Sequence, residues 1–391
     1  MLQNRLKQLR LARGLTLEAL SEQLDGLVTK QALSKYEKGL SKPSMTVLAK
    51  IAESLDVKTA YLFSDQAVTV DLLAYRKHSA LLKRDQETIE SFVSQALEER
   101  IRLQELVQEP IRISLPIKRF KVASLTDAEK AAAELRKLWK LGEAPIANVV
   151  GLLEEQFIHV FEIDAPSEKF DGISARAHDE EGKLKAAAVV SRRGLPGERQ
   201  RLNLVHELGH LVLDVSENVD EEKAAFRFAG AFLAPATVLL REVGAKRSSI
   251  QLRELLILKK RFGISIQAML YRLRDLEVIN ESTYTWSCIQ INKLGFKKNE
   301  PDPLQPEEHQ WLKLNVLRAV SEGFLSKEDA ERLIGETMEE EERQFMDRRA
   351  FMKLPLAQRR KILEEQAATL KSHYEKLVEE EEPGGGDFLD Y

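Results

Sequence analysis

The sequence predicts a mainly helical α+β chain, and three observations predict it. Apolar residues recur at helical spacing through most of the 391 residues. That period gives way between about residues 157 and 192, where FIHVFEI, DGISARA and KAAAVVSRR read as strands of a small sheet, separated by Pro166 and the turn DEEGK. The length is two to three times that of a usual domain, so several domains are expected.

With 43% apolar and 31% charged residues, the composition is that of a soluble protein with real cores. No stretch approaches the roughly 18 apolar residues of a spanning helix. The N-terminal MLQNRLKQLRLARG lacks the apolar centre of a signal peptide. A cytoplasmic location with no membrane partner is therefore expected. The single cysteine, Cys288, excludes an intramolecular disulfide and a Cys-rich zinc site, so any metal must be held by His and carboxylate.

Element by element, Leu2 to about Phe63 reads as five short helices in a compact domain (1–63), punctuated by Gly14, Gly26 and Gly39 and with Pro43 near the start of one helix. Residues 64–125 read as a helical linker or packing region, in which Ile89, Phe92, Val93, Ala96 and Leu97 share a stripe that Pro110 and Pro116 end. The central domain, 126–292, is expected to open with a helix from Thr126 to Trp139. The strands follow, then helices at 198–214, 220–234 and 264–275, and a further strand at WSCIQIN, 286–292. A charged helical region is expected from about 307 to 381, and the chain after 292 is divided into a helical region, 293–349, and an antitoxin-like helix with an acidic tail, 350–391.

Charge is uneven along this order. Residues 1–63 carry ten Lys/Arg against six Asp/Glu, a balance of +4, whereas 377–391 carry six acidic side chains and no basic one. The front of the chain suits an anionic partner and the tail does not.

Within the front domain, TLEALSEQLDGLVTKQALSKYEKGLSKPSMTVLAKIAESLDV has the layout of a helix-turn-helix. Leu20 and Leu24 face inward, Asp25-Gly26 makes the break, and Ala32, Leu33 and Tyr36 give the next helix its apolar side. That second helix otherwise presents Thr29, Lys30, Gln31, Ser34 and Lys35, the polar and cationic groups with which a major-groove reader meets base edges and phosphates. Ser34-Lys35-Tyr36-Glu37-Lys38-Gly39 followed by Lys42-Pro43 resembles the Xre (phage-repressor-like) family over residues 3–63. The resemblance implies a double-stranded DNA operator, with Thr29, Lys30, Gln31 and Ser34 toward bases and Lys35, Lys38 and Lys42 nearer phosphates. Leu17 departs from it, standing where the family often has a Gln that touches the DNA backbone. Paired half-sites are common for such modules, so a homodimer is expected.

The most specific chemistry lies in NLVHELGHLVLD. His206 and His210 are four residues apart, so a helix projects both imidazoles from one face, as two ligands of a tetrahedral zinc require. Glu207, beside the first, is placed to take a proton from an attacking water. Leu202, Val205, Leu208 and Val212 give that helix a buried side. A catalytic site of this kind needs a third protein ligand. Glu222, on the following helix DEEKAAFRFAGAFLAP, is the natural one, and Glu221 competes locally from about 100° around that helix.

GERQRLNLVHELGHLVL followed by EEKAAFRFAGAFLAP looks like the ImmA/IrrE family of metallopeptidases, a zincin-like fold often fused to an Xre domain, over about residues 145–280. That resemblance implies Zn2+, a third ligand at Glu222, and site-specific cleavage of a repressor-like protein. It also implies an Asn four residues after that ligand, where this sequence has Phe226, so a polar partner for a ligand imidazole is missing. Among the other histidines, His159 sits in a strand-like run and reads as a core or sheet-face residue. His78, His178, His309 and His373 lie among charges and read as solvated. Tyr271 and Arg272 read as packing residues.

The C-terminal helix carries Ile362, Leu363, Ala367 and Leu370, and EEEEPGGGDFLDY ends the chain. This end resembles short antitoxin-like proteins whose acidic, aromatic tails occupy a toxin's active site. The alternative is a solvated helix and a floppy terminus. Two functions are therefore expected of the whole. One is a DNA-binding regulator with a zinc-dependent endopeptidase that cuts a repressor-type protein in cis or in trans. The other is an antitoxin and autorepressor whose zincin region is a sensor or scaffold, with a toxin held by the tail.

Overall fold

The computed structural model describes residues 2–64, 68–73, 82–107, 115–164, 170–297, 299–338, 354–356, 358–364 and 367. By backbone contacts residues 1–334 form one unit and 335–391 a second. In the second, residues 358–364 are helical, and the acidic tail expected to hold a toxin lies outside the described residues.

The first unit opens with α1 (Leu2–Ala12), α2 (Leu17–Gln23), α3 (Lys30–Glu37), α4 (Met45–Ser54) and a 3-10 turn, Thr59–Phe63. The hydroxyls of Thr16, Thr29 and Ser44 cap α2, α3 and α4 by accepting the backbone N–H three residues on, each such cap contributing about 1 kcal/mol. Gly26, at a φ of 72°, supplies the left-handed backbone of the turn between α2 and α3. Leu6, Leu9, Leu20, Leu33, Ile51, Leu55 and Leu62 close the core. Arg10 is buried and pairs with both carboxylate oxygens of Glu37 at 2.6 and 2.8 Å, which fixes α1 against α3.

Beyond this bundle lie β1 (Thr69–Leu73), α5 (Lys83–Val107), β2 (Phe120–Val122), α6 (Leu125–Leu138), α7 (Val149–Glu155), β3 (Ile158–Ile163), β4 (Gly172–His178), β5 (Leu184–Arg192), α8 (Gly197–Val212), β6 (Leu213–Val215) and α9 (Glu221–Leu233). They are followed by α10 (Ala236–Val243), α11 (Leu252–Phe262), α12 (Ile266–Asp275), α13 (Glu281–Lys293), α14 (Trp311–Ser321) and α15 (Lys327–Ile334). The main sheet has the order β1-β4-β5-β3, with β4 antiparallel to both neighbours and β3 parallel to β5. β2 and β6 pair separately, in parallel.

Strand alternation sends the sheet's apolar residues to two sides. Ile173, Ala175, Ala177 and Val190 meet Ile89, Val93, Leu97 and Ile101 of α5 on one face. Ala187 and Val189 join the larger core, which holds Leu204, Val205, Leu208 and Leu211 of α8, on the other. The sheet is thus a layer between the linker helix α5 and the helix that carries the histidines.

Among the described residues, those between α13 and α14 are not helical, although the charge pattern suggested a helix from about 307. It is pinned across the N-terminus of α8. The Gly197 N–H donates to the Leu304 carbonyl at 2.8 Å, and a Cβ at Gly197 would stand 2.2 Å from the Gln305 carbonyl oxygen. Lys259, fully buried, binds Glu198 at 2.6 Å and Glu300 at 3.0 Å, while Glu307 pairs with Arg201 and accepts the Val149 and Val150 N–H groups.

Two local expectations are corrected. WSCIQIN, 286–292, is helical, within α13, because Asn280 caps it by accepting the Thr283 N–H, and Tyr284, Ser287, Cys288 and Ile291 then fall on its inner side. Its β-branched and aromatic content misled the local reading, and tertiary packing overrides such propensity. Residues 69–73, expected in a helical stretch, form β1, whose partner β4 lies about a hundred residues away in sequence.

Candidate functional site

The centre of the site is built by α8 and α9. Position 209, between the two histidines, explains how closely these helices approach. A Cβ on Gly209 would stand 3.2 Å from Ala225 Cα and 3.3 Å from Phe228 Cδ1, tighter than side chains ordinarily tolerate. With hydrogen alone there, the start of α9 reaches the histidine face of α8, and Asp220 caps α9 by accepting the Lys223 N–H.

The structure brings His206, His210 and Glu222 together. His206 Nε2 is 3.2 Å from His210 Nε2 and 3.2 Å from Glu222 Oε2, and His210 Nε2 is 3.4 Å from Glu222 Oε1. A tetrahedral ion with bonds of about 2.0–2.1 Å separates its ligands by about 3.3 Å, so these donor atoms stand at the spacing such an ion needs. Their chemistry, two imidazole nitrogens and a carboxylate, also suits a borderline-soft divalent ion. Both histidines are buried, and Glu222 is about one-third exposed and forms the open side.

Electrostatics hold the three together. Hydrogen bonds from His206 and then His210 keep the Glu222 carboxyl far below the usual carboxylate range, against the opposing effect of burial. For His210 the largest single influence, burial, lowers its affinity for a proton. The hydrogen bond to Glu222 and the charges of Glu207, Glu222 and Glu221 together outweigh it, and the net shift is upward.

Glu221 has a role that its position around the helix did not suggest. Its Oε1 lies 3.4 Å from His210 Nδ1, the nitrogen that points away from the ligand cluster, and 4.0 Å from Lys118 Nζ. The two adjacent carboxylates of α9 therefore address the two nitrogens of one ring. Only the general habit of ligand histidines, whose second nitrogen finds an acceptor, could have signalled this from sequence. His206 is held differently. The Phe226 ring lies 4.1 Å from its ring centroid, tilted by 38°, and its Nδ1 has no hydrogen-bond partner among the described residues.

Glu207 is 4% exposed and lies against the sheet, where Gly172 of β4 makes room for it. A Cβ at Gly172 would come within 3.2 Å of Glu207 Cγ and Oε1. The same approach was not legible in the sequence, in which DGIS reads only as a strand start. His159 is buried and packs edge-on against Trp311 at 4.9 Å, in keeping with a core role; burial first and Arg100 second hold its pKa well below the ordinary value. His309 is half-buried rather than solvated, and its pKa is lowered by burial and then by Arg100 and Arg193. His178 lies 3.3 Å from Asp71, and His78 and His373 fall outside the described residues. Arg272 is a packing residue, pairing with Glu129 and with the Ala234 carbonyl.

In the front bundle, Thr29, Lys30, Gln31, Lys35, Lys38 and Lys42 are exposed and Ser34 is half-buried. The Thr29 hydroxyl caps α3 and Lys30 pairs with Glu18 at 3.0 Å, so two of these groups already have partners. Leu17, the departure from the Xre pattern, packs against the bundle core.

Comparison with known proteins finds two family matches. Residues 6–62 match the helix-turn-helix family, and residues 153–274 match the IrrE N-terminal-like domain. The second match takes in α8 and α9 with the three residues of the cluster and Glu207, and it begins well after β1. No curated protein matches the chain significantly.

Proposed function

We propose that this chain, which joins a helix-turn-helix segment to an IrrE N-terminal-like domain, is a cytoplasmic DNA-binding regulator whose second part is a zinc-dependent endopeptidase acting on a repressor-type protein. The observation that carries the peptidase reading is the convergence of His206, His210 and Glu222 at 3.2–3.4 Å with the Glu207 carboxylate on the next helical position. His206, His210 and Glu222 are the residues that would hold zinc, two imidazole nitrogens and a carboxylate oxygen. Zinc, when bound, supplies a Lewis acid that makes water a nucleophile at neutral pH and polarises a peptide carbonyl.

The chain's own residues do the rest. Glu207 takes the proton of the attacking water and returns it to the departing amine nitrogen, so one carboxylate serves as base and then as acid. Its burial against Gly172 fixes its orientation and keeps bulk water from competing for the proton. Phe226, about half exposed, covers one face of the His206 ring and gives the mouth of the site an apolar wall.

The DNA reading rests on the exposed polar and basic side chains of α3 and the loop after it. Neutralised phosphates release counterions, so operator affinity must fall with salt, and removal of Lys38 and Lys42 must reduce that slope by about 2. The combined reading is tested by selecting an operator from random duplexes with the purified chain. The zinc-loaded wild type and Glu207→Gln are then incubated with that DNA and with candidate helix-turn-helix repressors. Cleavage by wild type alone, read by intact mass, is the expected result. Equal cleavage by Glu207→Gln, or none by either, contradicts the peptidase part and leaves the DNA part standing.

A further inference from the structure

β1 pairs antiparallel with the outer edge of β4, and its register carries it toward the metal centre. Thr69 stands opposite His178 and Leu73 opposite Ser174, so the chain advances along β4 toward Gly172, the residue against which Glu207 is packed. Val70 and Leu72 point to the α5 side of the sheet and pack against that cluster, while Leu73 points to the opposite side and packs against the core that contains α8. An extended peptide presented to Glu207 from the sheet edge would need this same place, since an exposed edge takes an added strand through its main-chain groups. β1 comes from outside the segment that matches the IrrE N-terminal-like domain.

β1 is also a short strand whose residues are none of them fully buried. It has five residues, Thr69 and Asp71 are exposed, and Val70, Leu72 and Leu73 are only partly buried. Opposite Leu73, Ser174 is fully buried and its hydroxyl has no hydrogen-bond partner among the described residues. An unpaired buried hydroxyl costs free energy, so an apolar residue is not the side chain that best suits this place. A strand of alternating apolar residues with a hydrogen-bonding side chain opposite Ser174 fits the edge better than β1 does.

We propose that the outer edge of β4 is the docking edge for an extended peptide segment, and that β1 is its displaceable occupant in cis, closing the edge until a better-fitting strand takes its place. The proposal deepens the peptidase reading and rests on it for its meaning, but docking itself needs neither zinc nor hydrolysis.

The test uses the full chain with metal chelated and a fluorophore-labelled synthetic peptide of residues 68–73, VTVDLL. Two forms are compared in a Cys288→Ser background. In the opened form Val70→Asp and Leu72→Asp remove the apolar anchors of β1. In the locked form Asp71→Cys and Arg176→Cys, which stand directly opposite each other in the register, are oxidised to hold β1 in place. The opened form is expected to bind the peptide at least tenfold more tightly than the locked form, and reduction of the lock is expected to restore wild-type binding in the same protein sample, which controls for folding. No difference between opened and locked forms, including no binding to either, overturns the proposal. Hydrolysis is then read separately on the zinc-loaded forms. A chain without peptidase activity still gives the binding difference, so failure of the enzymatic reading and failure of the docking edge are told apart.

Discussion

Glu221 and His210 stand 3.4 Å apart, Oε1 to Nδ1, while Glu222, the next residue of α9, faces Nε2 of the same ring. One helix start thus places a carboxylate at each nitrogen of a candidate ligand ring. An imidazole whose second nitrogen meets a carboxylate is held in one tautomer and made a better donor. Glu221→Gln is expected to weaken zinc binding by about 10- to 100-fold while leaving the far-ultraviolet circular dichroism unchanged. Competition with a fluorescent chelator measures it, and unchanged affinity would show that the pair does not orient the ring.

Gly209 is the second point at which geometry makes a sharp demand. With a Cβ there already crowding Ala225 and Phe228, Gly209→Val must push α9 from α8 and carry Glu222 away from the histidines. The expected cost is about 1–3 kcal/mol of stability, with a larger proportional loss of zinc affinity than of folding. A variant that keeps wild-type zinc affinity would mean that α9 is positioned by other contacts.

In the metal-free protein the Glu222 cluster has a defined pH window. Glu222 is depressed by hydrogen bonds from His206 and His210, so its contribution is present above the ordinary carboxylate value of 4.5 and is lost as pH falls through the depressed one. His210 is raised by Glu222, Glu207 and Glu221 after the opposing effect of burial, so its contribution is present below 6.5 and is lost as pH rises through the raised value. The pair therefore stabilises most fully between about pH 4.5 and 6.5. Thermal melts of the metal-free chain against Glu222→Gln are expected to differ most in that window and to converge at alkaline pH. A difference independent of pH would rule out the ion pair as its cause.

What was legible in the sequence follows from the range of the interactions involved. His206, Glu207 and His210 were readable because helical spacing alone places them on neighbouring positions, and α2 and α3 because Leu20 and Leu24, then Ala32, Leu33 and Tyr36, recur at helical spacing between Gly14, Gly26 and Gly39; the caps at Thr16, Thr29 and Ser44 are seen only in the structure. Glu222 needed one further step, an adjacent helix that returns to the metal face. Glu221 at Nδ1, Gly172 behind Glu207 and β1 on the edge of β4 depend on pairings across many residues, which a local period does not contain. WSCIQIN shows the opposite failure, in which strand-like composition gave way to the Asn280 cap and to the buried positions at 284, 287, 288 and 291.

The most direct test of the central claim is the zinc content of the purified wild-type chain beside His206→Ala and Glu222→Ala, measured by elemental analysis after dialysis against limiting zinc. The three-ligand account predicts close to one zinc per chain in the wild type and loss of most of it in both variants, with each variant still folded. A wild-type chain that takes up no zinc, or variants that retain it in full, would contradict the account.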